Sequence, residues 1–166
     1  MKPEFSHIDA KGQVRMVDVT AKAATDRKAT AQAIVNMHPD TLAMILNQDL
    51  KKGNVLETAR IAGVMAAKKT HDLIPMCHPL KITHVQVDFS PDTSKSLIRI
   101  ETLVRIVDQT GVEMEALTAA AVAALTIYDM CKAVDRGMRI TDLHLLEKSG
   151  GKSGTFHWET ASKRKS

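Results

Sequence analysis

The segment TGVEMEALTAAAVAALTIYDMCK, Thr110 to Lys132, constrains the fold more than any other part of the chain. From Ala116 to Tyr128 it carries no charge, glycine or proline, and alanine and leucine, the strongest intrinsic helix formers, dominate it. The run therefore predicts a helix that is apolar on nearly every side, and such a helix must be covered by its own core or by a partner. Asp129 and Lys132 close the run on the strip that also holds Thr118, Val122 and Leu125. A carboxylate and an ammonium there cost free energy unless they are paired or used. Two readings stay open: an exposed intrahelical ion pair, or an acid–base pair at a reactive site. At the other end, Thr110 and Glu113 have the spacing of a capping box, in which Glu113 would only tie down the helix start.

Composition narrows what surrounds this rod. With 166 residues the chain suits one domain with a real core. The apolar run looks too short and too alanine-rich to span a membrane, and no signal-peptide pattern opens the sequence. Two cysteines, Cys77 and Cys131, argue against a disulfide scaffold and fit a reducing cytoplasm. A net charge of +4 points to an anionic partner. Aromatic content of 3% leaves little to stack on bases, so phosphates on a small molecule fit better than nucleic acid.

Around the rod the pattern alternates between strands and helices. Ala29, Ala31, Ala33, Val35 and Met37 alternate with polar residues, as in a half-buried strand. Pro39 opens a helix to about Gln48, and Asn54 with Glu57 caps a second through the lysines Lys68 and Lys69. Gly63, inside that second helix, suggests a close approach of another backbone. Pro75 and Pro79 make residues Asp72 to Leu80 an irregular loop. Strands follow at Val85–Phe89 and Ile98–Ile106, joined by a turn at Ser90 to Lys95. After the rod, Gly137 stands where a helix C-cap wants glycine. Met138, Ile140, Leu143 and Leu145 then form a fourth strand whose alternation slips once, as at a bulge. This order predicts an α+β, ferredoxin-like split βαβ subunit: a four-stranded, mainly antiparallel sheet with helices on one face and one additional helix. Residues 1–26 read as a flexible N-terminal arm, 27–147 as the ferredoxin-like domain and 148–166 as a mobile Gly/Ser/Lys tail.

Candidate chemistry is scattered. Cys77 and His78 are neighbours in the proline loop, but no paired Cys or His spacing supports a metal, and none is expected. KSGGKSG, Lys148 to Gly154, lacks the first glycine of a phosphate loop, because Leu146 stands there. Its glycines and lysines can still close on a phosphate through backbone N–H groups and ammonium charge. A non-catalytic ferredoxin-like module for RNA or another anion is the alternative, although it wants aromatics on the sheet face and the strands carry only Phe89.

The segments KGNVLETARIAGVMAAKKTHDLIPMCHPL, TGVEMEALTAAAVAALTIYDMCKAVD and KSGGKSG, with MVDVTAK near the start, resemble the cyclic pyranopterin monophosphate synthase family, which acts second in molybdenum cofactor biosynthesis. The resemblance implies a lyase that converts (8S)-3′,8-cyclo-7,8-dihydroguanosine 5′-triphosphate to cyclic pyranopterin monophosphate and diphosphate without a cofactor. It also implies a cytoplasmic homohexamer, a trimer of dimers, with active sites between subunits. Matched by motif, Asp129 and Lys132 are the catalytic residues. Met76, Cys77 and His78 match one substrate-binding segment and Met114 with Glu115 the other. Glu113, Lys52, Arg27, Lys148 and Lys152 match further polar positions lining the pocket. Two departures are conservative: Asn54 stands for a usual aspartate and Met76 for a leucine.

Overall fold

The alternating small residues form β1 (Thr25–Asn36) in the computed structural model, which describes residues 7–8, 11–48, 53–152 and 154–158. The chain continues through α1 (Pro39–Leu46), α2 (Val55–Lys68) and the single turn α3 (Thr70–Leu73). It then runs through β2 (His84–Asp92), β3 (Leu97–Asp108), α4 (Glu113–Cys131), β4 (Arg139–Ser149) and β5 (Phe156–His157). The sheet order is β2-β3-β1-β4-β5, with every neighbouring pair antiparallel. The first four strands thus have the split βαβ arrangement, with β3 inserted between β2 and β1. A fifth strand is added to the four expected, because the chain turns back after β4 and pairs Phe156 with Lys148.

Small side chains bring helix and sheet together. The inward face of β1 is Ala29, Ala31, Ala33 and Val35, all buried. Above it α4 buries Ala116, Ala119, Ala120, Ala123, Ala124 and Ile127. α2 packs along α4 and reaches β2. There Gly63 meets α4: a Cβ on it would lie 3.1 Å from the Ala119 carbonyl oxygen and 3.2 Å from Val87. The close approach expected of this glycine is therefore met. Asn54 accepts the Glu57 amide at 3.1 Å and caps α2, as its spacing predicts.

Several local expectations change. α4 has mean hydropathy 1.3 over an 18-residue window, so the whole helix is by length and composition apolar enough to cross a bilayer, although its uncharged run alone is too short. Just over half of it is buried in this fold, which is how a core helix behaves. Its N-cap is Val112, which makes no side-chain cap bond, so the Thr110–Glu113 capping box does not form. The first turn is held instead by Thr102, whose hydroxyl donates to the Ala116 carbonyl at 2.8 Å. Gly137 is not the C-cap either. The helix closes at Lys132, and the Gly137 amide donates to Asp135 at 2.9 Å. The same Asp135 carboxylate accepts from the His38 amide, tying the end of α4 to the start of α1. The turn after β2 is tighter than drawn from Ser90 to Lys95, since β2 extends to Asp92. The predicted slip in β4 appears as register shifts opposite Thr30/Ala31 and Gln32/Ile34.

At the two ends of the sequence, residues 11–24 form no helix and no regular strand. Lys148 and Ser149 belong to β4, and residues 154–158 continue from it into β5, so this part of the expected tail is paired. Residues 159–166 lie outside the described residues.

Candidate active site

A cavity of about 530 Å³ opens where several pieces of chain converge at the N-terminal end of α4. The first turn of α4 brings Glu113, Met114 and Glu115, and the proline loop brings Met76, Cys77 and His78. Arg27 enters from β1 and Lys148 from β4, while the arm covers it with Val17, Val19 and Lys22. A helix N-terminus favours negative charge, which suits an anionic ligand. Beside it lies a second hollow of about 470 Å³ lined by Lys22, Thr25, Arg27, Gly151 and Lys152, so Lys22 and Arg27 belong to both. The Thr25 hydroxyl there is buried and has no hydrogen-bond partner among the described residues.

Glu115 is the unusual acid of the site. It is only 4% exposed, and burial pushes its carboxyl up from 4.5 to about 7, with the nearby Glu113 charge adding to the rise. A group that titrates near neutrality can both give and take a proton. Burial, reinforced by Glu115, raises the Cys77 thiol as well, so Cys77 faces the cavity as a neutral thiol rather than a nucleophilic thiolate. His78 Nε2 lies 3.0 Å from the Val17 carbonyl oxygen. A carbonyl only accepts, so Nε2 carries the proton and fastens the arm across the cavity. Glu113 pairs with Lys148 at 3.0 Å. Arg27 donates from Nε to the Asp108 carbonyl at 2.8 Å and from Nη2 to the Gln109 carbonyl at 2.9 Å.

Of the residues marked in the sequence, Arg27, Met76, Cys77, His78, Glu113, Met114, Glu115 and Lys148 all line the cavity, and Lys152 lines its neighbour. Lys52 lies outside the described residues. Asp129 and Lys132 lie elsewhere. At 1.5 Å per residue, Asp129 stands about 21 Å along the helix axis from Glu115. Within one copy this pair is not in an apolar crevice: the side chains are 63% and 53% exposed and bonded to each other at 2.6 Å. That bond to Asp129 raises the Lys132 ammonium above its usual range. Leu125, one turn before Asp129 on α4, and Ile61 and Met65 of α2 are also exposed.

Sequence reasoning weighed the segment from Met16 to Arg27 as an arm over a ligand but favoured a solvated arm, so Lys22, Val17 and Val19 were not named as site residues. The signal available was the cluster of cations near Lys22 and Arg27, which reads equally well as a solvated arm. Among the described residues no three His, Cys, Asp or Glu side chains converge as a metal site requires. Phe89 packs against the core beside Arg60 rather than standing on the open face of the sheet, so it offers no platform for a base.

Comparison with known protein families matches residues 16–151 to the MoaC family. A cyclic pyranopterin monophosphate synthase of Desulfatibacillum aliphaticivorans is 65% identical over 153 residues, 92% of this chain and 96% of its own length. The synthase of the same name from Desulforapulum autotrophicum is 61% identical, over 92% of this chain and 94% of its own. That of Parvibaculum lavamentivorans is 56% identical over 92% and 96%. The motifs that fill the cavity fall inside the matched region, and the chain belongs to the MoaC family.

Proposed function

We propose that this chain forms cyclic pyranopterin monophosphate, the product in the names of its relatives, with diphosphate from (8S)-3′,8-cyclo-7,8-dihydroguanosine 5′-triphosphate, at a site completed by a second copy. The observation that carries the reading is the division of charge between the cavity and the hollow beside it. A proton-exchanging carboxyl, Glu115, lines the cavity with Cys77 and His78, while Lys22 and Arg27, shared with the hollow, gather there with Lys152. The purine-derived ring fits the cavity, where its rearrangement needs proton transfers. The triphosphate fits the hollow, where ammonium charge stabilises diphosphate as a ribose hydroxyl attacks the α-phosphorus.

Asp129 and Lys132 act from the partner. An isologous contact about a two-fold axis that sets two α4 helices antiparallel brings the C-terminal end of one beside the N-terminal end of the other. It would also cover Leu125, an exposed apolar side chain one turn before Asp129. The pair then completes the acid–base set, and further contacts between dimers give a cytoplasmic hexamer.

The test is turnover of the cyclic GTP-derived precursor, followed by diphosphate release and by pterin fluorescence after oxidation. Asp129→Asn and Lys132→Ala, both exposed, fold and unfold like the parent but lose turnover. Mixing Asp129→Asn with Glu115→Gln chains, then dissociating and reassembling them, restores about a quarter of the parent rate, because each mixed pair holds one intact site. No restoration places both groups in one chain. Activity that vanishes in chelator and returns with Mg²⁺ would shift the phosphate role from the lysines to a metal.

A further inference from the structure

Resemblance places Arg27 among the substrate-binding residues, yet its strongest contacts are to the protein itself. We propose that Arg27 is a positioning residue: its guanidinium clamps the connection between β3 and α4 against the glycine turn that follows β4, and so sets where Glu113, Glu115 and Lys148 stand in the cavity. This assignment rests on the site described under the proposed function and changes the role of one of its members.

Three contacts carry it. Nε and Nη2 donate to the carbonyls of Asp108 and Gln109, the last residue of β3 and the one after it, at 2.8 and 2.9 Å. Those residues lead directly into the α4 turn that bears both glutamates. The opposite side of the guanidinium is pressed by the turn of Gly150 and Gly151, at φ +95° and +75°. A Cβ on Gly150 would collide with the Asp26 carbonyl oxygen, and one on Gly151 with Nη1 of Arg27. Only glycine lets the chain pass this close in that conformation. The clamped pieces are joined again by the Glu113–Lys148 ion pair at 3.0 Å. A planar fork satisfies two carbonyls at once; a lysine has the charge but not the geometry. That leaves Lys22 and Lys152, flanking the same hollow, as the cations for the ligand.

The experiment compares the full chain with Arg27→Lys and Gly151→Ala. The latter keeps the arginine and pushes its guanidinium off the carbonyls. The first readout needs no substrate: the Glu115 carboxyl is titrated by NMR, in surroundings that also hold Cys77, His78, Glu113, Lys148, Lys22 and Arg27. Loosening the connection lets water reach Glu115, so its titration midpoint falls in both variants, and the amides of Gln109 to Glu113 exchange faster. In turnover, both variants lose at least tenfold in kcat with KM for the triphosphate within about twofold. The acid limb of the pH profile moves down with the carboxyl. A ligand role would give the reverse: Arg27→Lys retaining most activity, KM rising, and the Glu115 titration unmoved. That result overturns the proposal. An inactive parent with the titration shift intact would refute the proposed reaction and leave the clamp standing.

Discussion

Glu115→Gln should make the protein more stable, and only at neutral and alkaline pH. In the folded chain the Glu115 carboxyl titrates at about 7, against 4.5 for an ordinary glutamate, because it is buried and Glu113 stands nearby. Folding therefore holds a proton that the unfolded chain releases. Below about pH 4.5 both states are protonated and the group contributes nothing. As pH rises through the interval between 4.5 and about 7, the unfolded state binds fewer protons than the folded one and stability falls. Above about 7 the full penalty is present. At 1.36 kcal/mol per pH unit, it reaches roughly 3 kcal/mol as an upper bound. Glutamine keeps the shape and removes the proton equilibrium. Thermal unfolding at matched chain concentration should give similar midpoints for parent and variant near pH 4.5. By pH 8 the variant should lead by roughly 6–12 °C, at about 2–4 °C per kcal/mol for a chain of this size. Parallel curves across that interval would refute the reasoning, since they would mean that Glu115 titrates alike in both states.

Gly63→Val places a branched side chain against the Ala119 carbonyl and Val87, so urea denaturation should show a loss of about 1–3 kcal/mol. Asn54→Ala removes the acceptor for the Glu57 amide and should cost about 1 kcal/mol. Asn54→Asp should keep the cap, with thermal midpoints reading all three chains.

Much of the architecture was legible because its signals are local. The β1 alternation and the Asn54 cap arise from neighbours in sequence, and Gly63 and the slipped β4 alternation mark their own positions even though the partners they meet are distant. What could not be read depends on distant partners. The spacing of Glu113 allowed a helix cap and the motif a place in the pocket; it faces Lys148 across the cavity, and no local pattern records that pairing. The end of α4 was placed near Gly137, yet Asp135 takes the Gly137 amide while binding α1, a contact across nearly a hundred residues. The site was legible chiefly by motif. Arg27, His78 and Glu115, singled out by motif, line one cavity, while the burial that moves the Glu115 proton and the carbonyls that occupy Arg27 emerge only from the packed chain.

The alanine seam between β1 and α4 has one more consequence. Short side chains have no rotamers with which to absorb an intruding methyl group, so a substitution at Ala119, Ala120 or Ala123 can be accommodated only by displacing the rod as a rigid lever. One end of that lever holds Glu113 and Glu115, and the other holds Asp129 and Lys132. A single lesion at its midpoint would then shift both of these charged ends at the same time.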